Sequence, residues 1–146
     1  MDRWNREGMS AHRGIAVSGM PNLFFLLGPN TALGHNSVVF MIESQIRYVG
    51  QAIAAVDHAG AAALSPSPRA QAEFNAELQR DLADTVFNTG GCRSWYMDAH
   101  GVNRTLWSGM TWQYWLATRK LDPAEFDFIH AGHDTKTLDT GVPAGA

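Results

Sequence analysis

Apolar positions along the chain fall into three patterns. The first is an unbroken run, Leu23-Phe24-Phe25-Leu26-Leu27, set between Pro21-Asn22 and Gly28-Pro29. Its length and its Gly/Pro boundaries predict a strand buried on both faces, as in covered, parallel-type sheets. The second is a stripe in which Val39, Ile42, Ile46, Val49, Ile53 and Val56 recur at steps of three and four. That spacing predicts an amphipathic helix. Asn36 or Ser37 caps it, Glu43 and Arg47 form an i,i+4 pair of favourable polarity, and it should fray over residues 57–60. The third pattern, Phe74, Leu78, Leu82 and Val86, predicts another helix, opened by Ser67-Pro68 and stopped by Asn88-Thr89-Gly90-Gly91.

The remaining segments carry weaker signals. Residues 1–19 are polar with scattered Gly and Trp and predict loop and short strand. Residues 61–67 predict a small-residue linker. Residues 92–121 are rich in Trp and Tyr with Gly punctuation, which suggests short strands and loops. Asp122-Pro123-Ala124-Glu125 can open a short helical turn. From Ala131 the chain is rich in Gly, Thr and Ala, and a disordered tail over residues 131–146 is expected. No internal repeat is present. The fold class expected is α/β or α+β, with one buried strand, two amphipathic helices and an aromatic-rich C-terminal strand and loop region. So few elements cannot cover a buried strand, so it belongs at the edge of a larger domain.

Composition narrows the function classes. The chain has 146 residues, enough for one domain at most, with 45% hydrophobic residues and five tryptophans. A net charge of −3 without a basic block gives no reason to expect nucleic acid. The one cysteine, Cys92, excludes an internal disulfide and fits a reducing compartment. No apolar core follows the charged start, and the run at residues 23–27 is far too short for a membrane span. A soluble, cytoplasmic protein is the expectation.

Two stretches could carry chemistry. The run at residues 23–27, the glycine-containing loop 28–34 and the capped helix after it would aim backbone N–H groups and a helix N-terminus at one spot. From the pattern alone an ordinary strand-to-helix turn is the favoured reading, and an anion or electron-rich ring edge is the second. In Cys92-Arg93-Ser94-Trp95-Tyr96 the aromatic pair could stack on a ring, while packing in a core is the commoner use. Cys92 has no neighbouring His or acid and reads as a packed thiol, not a nucleophile. His130 and His133 are closely spaced, but they sit at the expected tail with no third firm ligand nearby, so no metal site is expected. Asp98 and His100 read as loop residues.

Gly19-Met20-Pro21-Asn22-Leu23-Phe24 and Gly28-Pro29-Asn30-Thr31-Ala32-Leu33-Gly34-His35-Asn36-Ser37, with Met41-Ile42-Glu43-Ser44-Gln45, resemble a segment of the Baeyer–Villiger and related flavin monooxygenases. The likeness is to the 4-hydroxyacetophenone and cyclohexanone monooxygenase branch, and it extends over about residues 4–128. It implies that residues 1–130 are the C-terminal part of an FAD-binding domain and that a helix start lies beside the flavin. By the same likeness Asn30, Thr31, Leu33, His35 and Asn36 are flavin-side positions. Ser94-Trp95-Tyr96, with Gly101 and Asn103 after it, is similar to the family segment whose Trp lies against the nicotinamide cofactor, which makes Trp95 the candidate NADPH contact. Leu106-Trp107-Ser108-Gly109, Trp112, Tyr114, Trp115 and Thr118-Arg119 also resemble the family, which more often has proline where Ser108 stands; these read as sheet packing.

The resemblance implies FAD and NADPH as cofactors and oxygenation of ketones or heteroatoms as the reaction, without assigning a catalytic residue. Yet no two glycines in the chain are separated by a single residue, so the G-x-G-x-x-G phosphate loops of dinucleotide-binding domains are absent. The expectation is therefore a fragment that holds neither cofactor stably alone. Its partner would be an upstream N-terminal half of the same enzyme, or another copy of itself. The alternative is a non-enzymatic interaction module, or a gene relic, derived from that domain.

Overall fold

The computed structural model describes residues 2–33, 37–83, 85, 96–98 and 100–132. A short helix, α1 (Asp2–Glu7), stands where loop is expected from the polar composition. Gly8, at φ 80°, ends it. Trp4 on α1 tilts against Phe25, with ring centroids 5.7 Å apart, so the helix is held by an aromatic contact that its polar sequence does not advertise.

Residues 11–25 form turns joined by single bridges, His12 to Ala16 and Ala16 to Phe24. The predicted buried strand at 23–27 is not formed. Asn22 and Leu27 both take left-handed backbone conformations, at φ 55° and 58°, and interrupt extension at each end. Leu23, Leu26 and Leu27 are exposed. A strand buried on both faces needs neighbours on both edges, and among the described residues only the Ala16 bridge pairs with it.

Ser37 is extended (φ −71°, ψ 116°) at the N-cap of α2 (Val38–His58), one of the two positions expected for the cap. The helix ends at Ala59 and Gly60, where fraying is expected. Its buried positions are Met41, Ser44, Gln45, Tyr48 and Ala52. This set lies one residue from the apolar stripe, about 100° round the helix. Val39, Ile46 and Ile53 are 63%, 53% and 55% exposed, whereas Ile42, Val49 and Val56 are half-buried. Periodicity finds the helix; it does not say which flank the rest of the chain covers.

Residues 61–67, expected as a linker, contain a strand, β1 (Ala63–Pro66). The helix that follows, α3 (Pro68–Ala83), starts as the Ser67-Pro68 pair predicts, with Ser67 Oγ accepting the Ala70 N–H at 3.2 Å. Leu78 and Leu82 are buried and Phe74 is half-buried, whereas Val86 and the stop at 88–91 lie outside the described residues. The Trp-rich stretch contains a further helix, α4 (Thr111–Thr118), and not only strand and loop. Gln113 Oε1 accepts the Met110 N–H at 2.6 Å across the first turn, and the helix packs on α2, which overrides the strand preference of its aromatics.

Asp122 caps a 3₁₀ turn (Pro123–Glu125), its carboxylate accepting the Ala124 N–H at 3.0 Å. The turn delivers β2 (Phe126–Ile129) onto β1. The two strands are antiparallel, Leu64 opposite Phe128 and Pro66 opposite Phe126. The main core joins Ile15, Tyr48, Ala52, Leu64, Leu121 and Phe126. A second cluster joins Leu78, Leu82 and Leu106, with Ala32, Tyr96 and Trp107 packed on it. Gln71 and Asn75 on α3 bond the N-terminal turns, accepting from Ser18 N and donating to Ala11 O. The tail from residue 133 lies outside the described residues.

Gly14 and Gly19 have similar φ values, 68° and 79°, but a side chain at Gly14 would strike Thr31 and the Pro29 carbonyl, whereas Gly19 faces open space. Gly19→Ala should cost only the left-handed strain, about 1–2 kcal/mol. Gly14→Ala should cost about 1–3 kcal/mol more from overpacking. Equal shifts of the denaturant midpoint in the two variants would contradict this packing.

Candidate functional site

Among the hollows formed by the described residues, two bear on function. A polar cleft of about 700 Å³ is walled by Arg13, Arg69, Glu73, Glu77, Asp122 and Glu125. A smaller hollow of about 300 Å³ lies beside the loop 28–33, between Trp4, Phe25, Leu27, Pro29, Ala32 and Arg104. The smaller one carries the stronger argument, because it borders the loop singled out by its motif and has the apolar lining with few polar groups typical of ring-binding sites.

The loop is built against residues 103–107. Asn30 N–H donates to Arg104 O at 2.9 Å, Ala32 N–H to Thr105 O at 3.0 Å, and Trp107 N–H to Ala32 O at 2.9 Å. The Asn30 side chain turns inward, and its Nδ2 donates to the Asn103 and Leu106 carbonyls at 2.8 and 3.1 Å. Its Oδ1 is buried with no hydrogen-bond partner among the described residues. Asn30 takes φ 58°, which asparagine tolerates better than most residues. Thr31 Oγ1 donates to Gly28 O at 2.7 Å. The second wall of the loop is the Arg13-Gly14 turn: Thr31 packs on Gly14, and a side chain at Gly28 would strike the Gly14 carbonyl.

Asn30 is therefore 2% exposed and Thr31 fully buried, so their side chains shape the loop from within. Leu33 is half-buried. His35, Asn36 and Trp95, together with Cys92, lie outside the described residues. Tyr96, next to Trp95 in sequence, packs on the cluster that also takes Ala32, and its carbonyl accepts from Thr105 Oγ1 at 3.4 Å. The loop 28–33 and Tyr96 therefore converge on residues 103–107. Asp98 organises the turn before them, accepting the His100 and Val102 N–H groups on Oδ1 and Arg104 Nε on Oδ2. Burial works against this carboxylate, but the Val102 N–H, Arg104 and the His100 N–H outweigh it and hold its pKa below the ordinary value. Among the described residues no group of His, Cys, Asp and Glu could hold a metal ion.

A polar cluster behind the loop is not signalled by any sequence motif. Arg13 holds both Glu125 oxygens, at 2.8 and 2.9 Å, and donates to Ala117 O at 2.6 Å. His12 Nε2 lies 3.1 Å from Glu125 Oε2. The Arg13 guanidinium also sits 5.9 Å from the Tyr48 ring centre. The Tyr48 hydroxyl is near enough to feel that charge but makes no hydrogen bond of good geometry among the described residues. Burial raises its pKa to about 12 against the opposing effect of Arg13, so it remains neutral. A charged residue beside Gly14 is the signal that could have revealed this network.

No protein-family model matches the chain. A Baeyer–Villiger monooxygenase of Pseudomonas aeruginosa is 44% identical over 150 residues, which cover 99% of this chain and 28% of that protein. The chain belongs to the Baeyer–Villiger monooxygenase family. It spans little more than a quarter of the length of that curated relative. An FAD-binding monooxygenase of Aspergillus niger is 36% identical over 129 residues, covering 86% of this chain and 21% of that one. Among solved structures, a steroid monooxygenase bound to NADP superposes with a TM-score of 0.73 at 26% identity, over 85% of this chain and 24% of that one. This family membership agrees with the family resemblance seen in the sequence.

The buried histidine supplies a pH dependence. Burial foremost, and then the Arg13 charge, lower the His12 pKa more than Glu125 raises it. Unfolding lets His12 take up a proton near its ordinary pKa of about 6.5, so stability is full above that pH and falls as pH drops through it towards the folded pKa. His12→Gln should flatten the decline in denaturant midpoint between about pH 7.5 and about pH 5.5. An unchanged decline in the variant would assign it to other groups.

Proposed function

We propose that the chain forms one wall of the flavin site in an FAD- and NADPH-dependent monooxygenase acting on ketones or heteroatoms, and that it is inactive alone. The observation that carries this reading is the loop 28–33, which is held rigidly from behind and borders an apolar hollow of about 300 Å³. The hollow fits the edge of a ring system, with Trp4, Phe25 and Leu27 offering apolar surface and Arg104 and Thr105 at its rim. The loop backbone and the start of α2 would hold the flavin edge, with His35 and Asn36, which lie between them in sequence, as further flavin-side positions. Leu33 would contribute an apolar contact, while Asn30 and Thr31 set the loop's shape. Bound FAD and NADPH would supply the redox chemistry. A complete FAD does not fit this wall alone, because the chain has no G-x-G-x-x-G segment to take the phosphates.

Exposed Val39, Ile46 and Ile53 support the need for a covering partner. Burying each such side chain is worth about 1.5–3 kcal/mol. An upstream portion of the same enzyme would cover this face, and a second copy would do so in its absence.

The 146-residue chain, purified with excess FAD and then desalted, should emerge colourless. Fused to the upstream portion of the Pseudomonas relative, it should retain FAD. A stoichiometric yellow protein without the upstream portion, or a folded fusion without flavin, would contradict the reading.

The proposed role of Trp95 is measured in the same fusion, from the rate of flavin reduction against NADPH concentration. Trp95→Ala should weaken the NADPH dependence by roughly five- to thirtyfold, from one lost hydrogen bond and some packing, with flavin content unchanged. An unaltered NADPH dependence would make Trp95 a packing residue.

A further inference from the structure

Leu27, the residue immediately before the loop, has φ 58°, a left-handed conformation that a branched side chain seldom adopts. Such a conformation persists only where its surroundings determine it. Here the determinant is buried: Leu27 N–H donates to Gln45 Oε1 at 2.9 Å. Gln45 Nε2 donates to the Tyr114 hydroxyl at 3.1 Å, and that hydroxyl donates to Arg13 O at 2.7 Å. Gln45 and Tyr114 are 0% and 1% exposed.

The polarity of this relay is fixed by chemistry. A backbone N–H can only donate, so the amide oxygen of Gln45 must face Leu27. Its nitrogen is then left for Tyr114, whose own proton goes to the Arg13 carbonyl. Burial above all raises the Tyr114 pKa, so the hydroxyl keeps the proton it donates. The relay runs from the entrance of the loop, through α2 and α4, to the Arg13-Gly14 turn on which Thr31 and Gly28 pack. One circuit therefore holds the loop at its start and along its far side. Neither Gln45 nor Tyr114 lines the hollow beside the loop.

We infer that Gln45 and Tyr114 are positioning residues that set the loop 28–33 for its ligand. The assignment of that ligand as a flavin rests on the function proposed above. Leucine at position 45 removes both hydrogen bonds. Glutamate retains the acceptor for Leu27, and in the neutral form that burial favours its O–H can still donate to Tyr114, so it is the conservative rescue.

Amide hydrogen exchange in the 146-residue chain tests the positioning directly. In Gln45→Leu the segment 24–33 should exchange about tenfold faster while β1 is unchanged, and Gln45→Glu should restore most of the protection at Leu27. If Gln45→Leu unfolds the whole chain, Tyr114→Phe decides, and the loop should then accelerate ahead of β1. Unchanged exchange at 24–33, or acceleration equal to that of β1 in every variant, overturns the inference. In the FAD-loaded fusion, Gln45→Leu should alter the visible circular dichroism of the flavin, and Gln45→Glu should recover it. A fusion that takes no FAD while the exchange pattern holds contradicts the flavin reading, whereas an FAD-loaded fusion whose dichroism and loop exchange ignore Gln45 contradicts the positioning.

Discussion

The placement of the loop 28–33 depends on where Arg13 is held. Its guanidinium grips both oxygens of Glu125 at 2.8 and 2.9 Å and reaches the end of α4 at the Ala117 carbonyl. Its own carbonyl receives the Tyr114 hydroxyl. The side chains of Arg13 and Glu125 are 17% and 27% exposed, so the pair is better sheltered than Arg69–Glu73 on α3, at 85% and 65%. An exposed pair of the latter kind is worth about 0.3–0.5 kcal/mol. The Arg13 pair is bidentate and its loss would strand a partly buried charge, so its removal weighs more. Through it, the N-terminal turns, α4 and the 3₁₀ turn that leads into β2 are tied at one point.

That tie has a functional consequence. Gly14 follows Arg13 and lets the loop backbone approach as closely as it does, because any side chain there would meet Thr31 and Pro29. The loop in turn lies along residues 103–107, with the Asn30 amide bridging two of their carbonyls. The side chains of Asn30 and Thr31 thus act inward. What borders the hollow is largely apolar surface, with Arg104 and Thr105 beside it, which suits the edge of a flat ring. This arrangement gives a physical meaning to a chain that matches about a quarter of its relatives' length: it offers a shaped wall.

The helices were readable from the sequence where their signals were local. Ser67-Pro68 marked the start of α3, and the three- and four-residue spacing marked α2. The buried side of α2 was not readable, because Ile46 and Ile53 are as apolar as the Met41 and Tyr48 that pack. The strand expected at 23–27 failed for a related reason: its apolar residues suit a sheet whose other strands this part of the chain does not provide. β1 was missed because Ala63 to Pro66 has little strand character of its own and is drawn into a ladder by Phe126 to Ile129, more than sixty residues away. At the candidate site, the Gly28 to Ser37 motif pointed to the loop, but not to the inward turn of Asn30 and Thr31. Arg13, Glu125, Gln45 and Tyr114 come together only through tertiary packing, and no spacing links them.

The central claim is that the rigid loop 28–33 is one wall of a flavin site. A structure of the FAD-loaded fusion with the upstream portion of the Pseudomonas relative tests it most directly. The account predicts the flavin ring edge beside residues 28–33, with the Asn30 amide still on the Asn103 and Leu106 carbonyls and Leu27 still bonded to Gln45. A flavin bound away from this loop, or an Asn30 side chain turned out to contact it, would contradict the account.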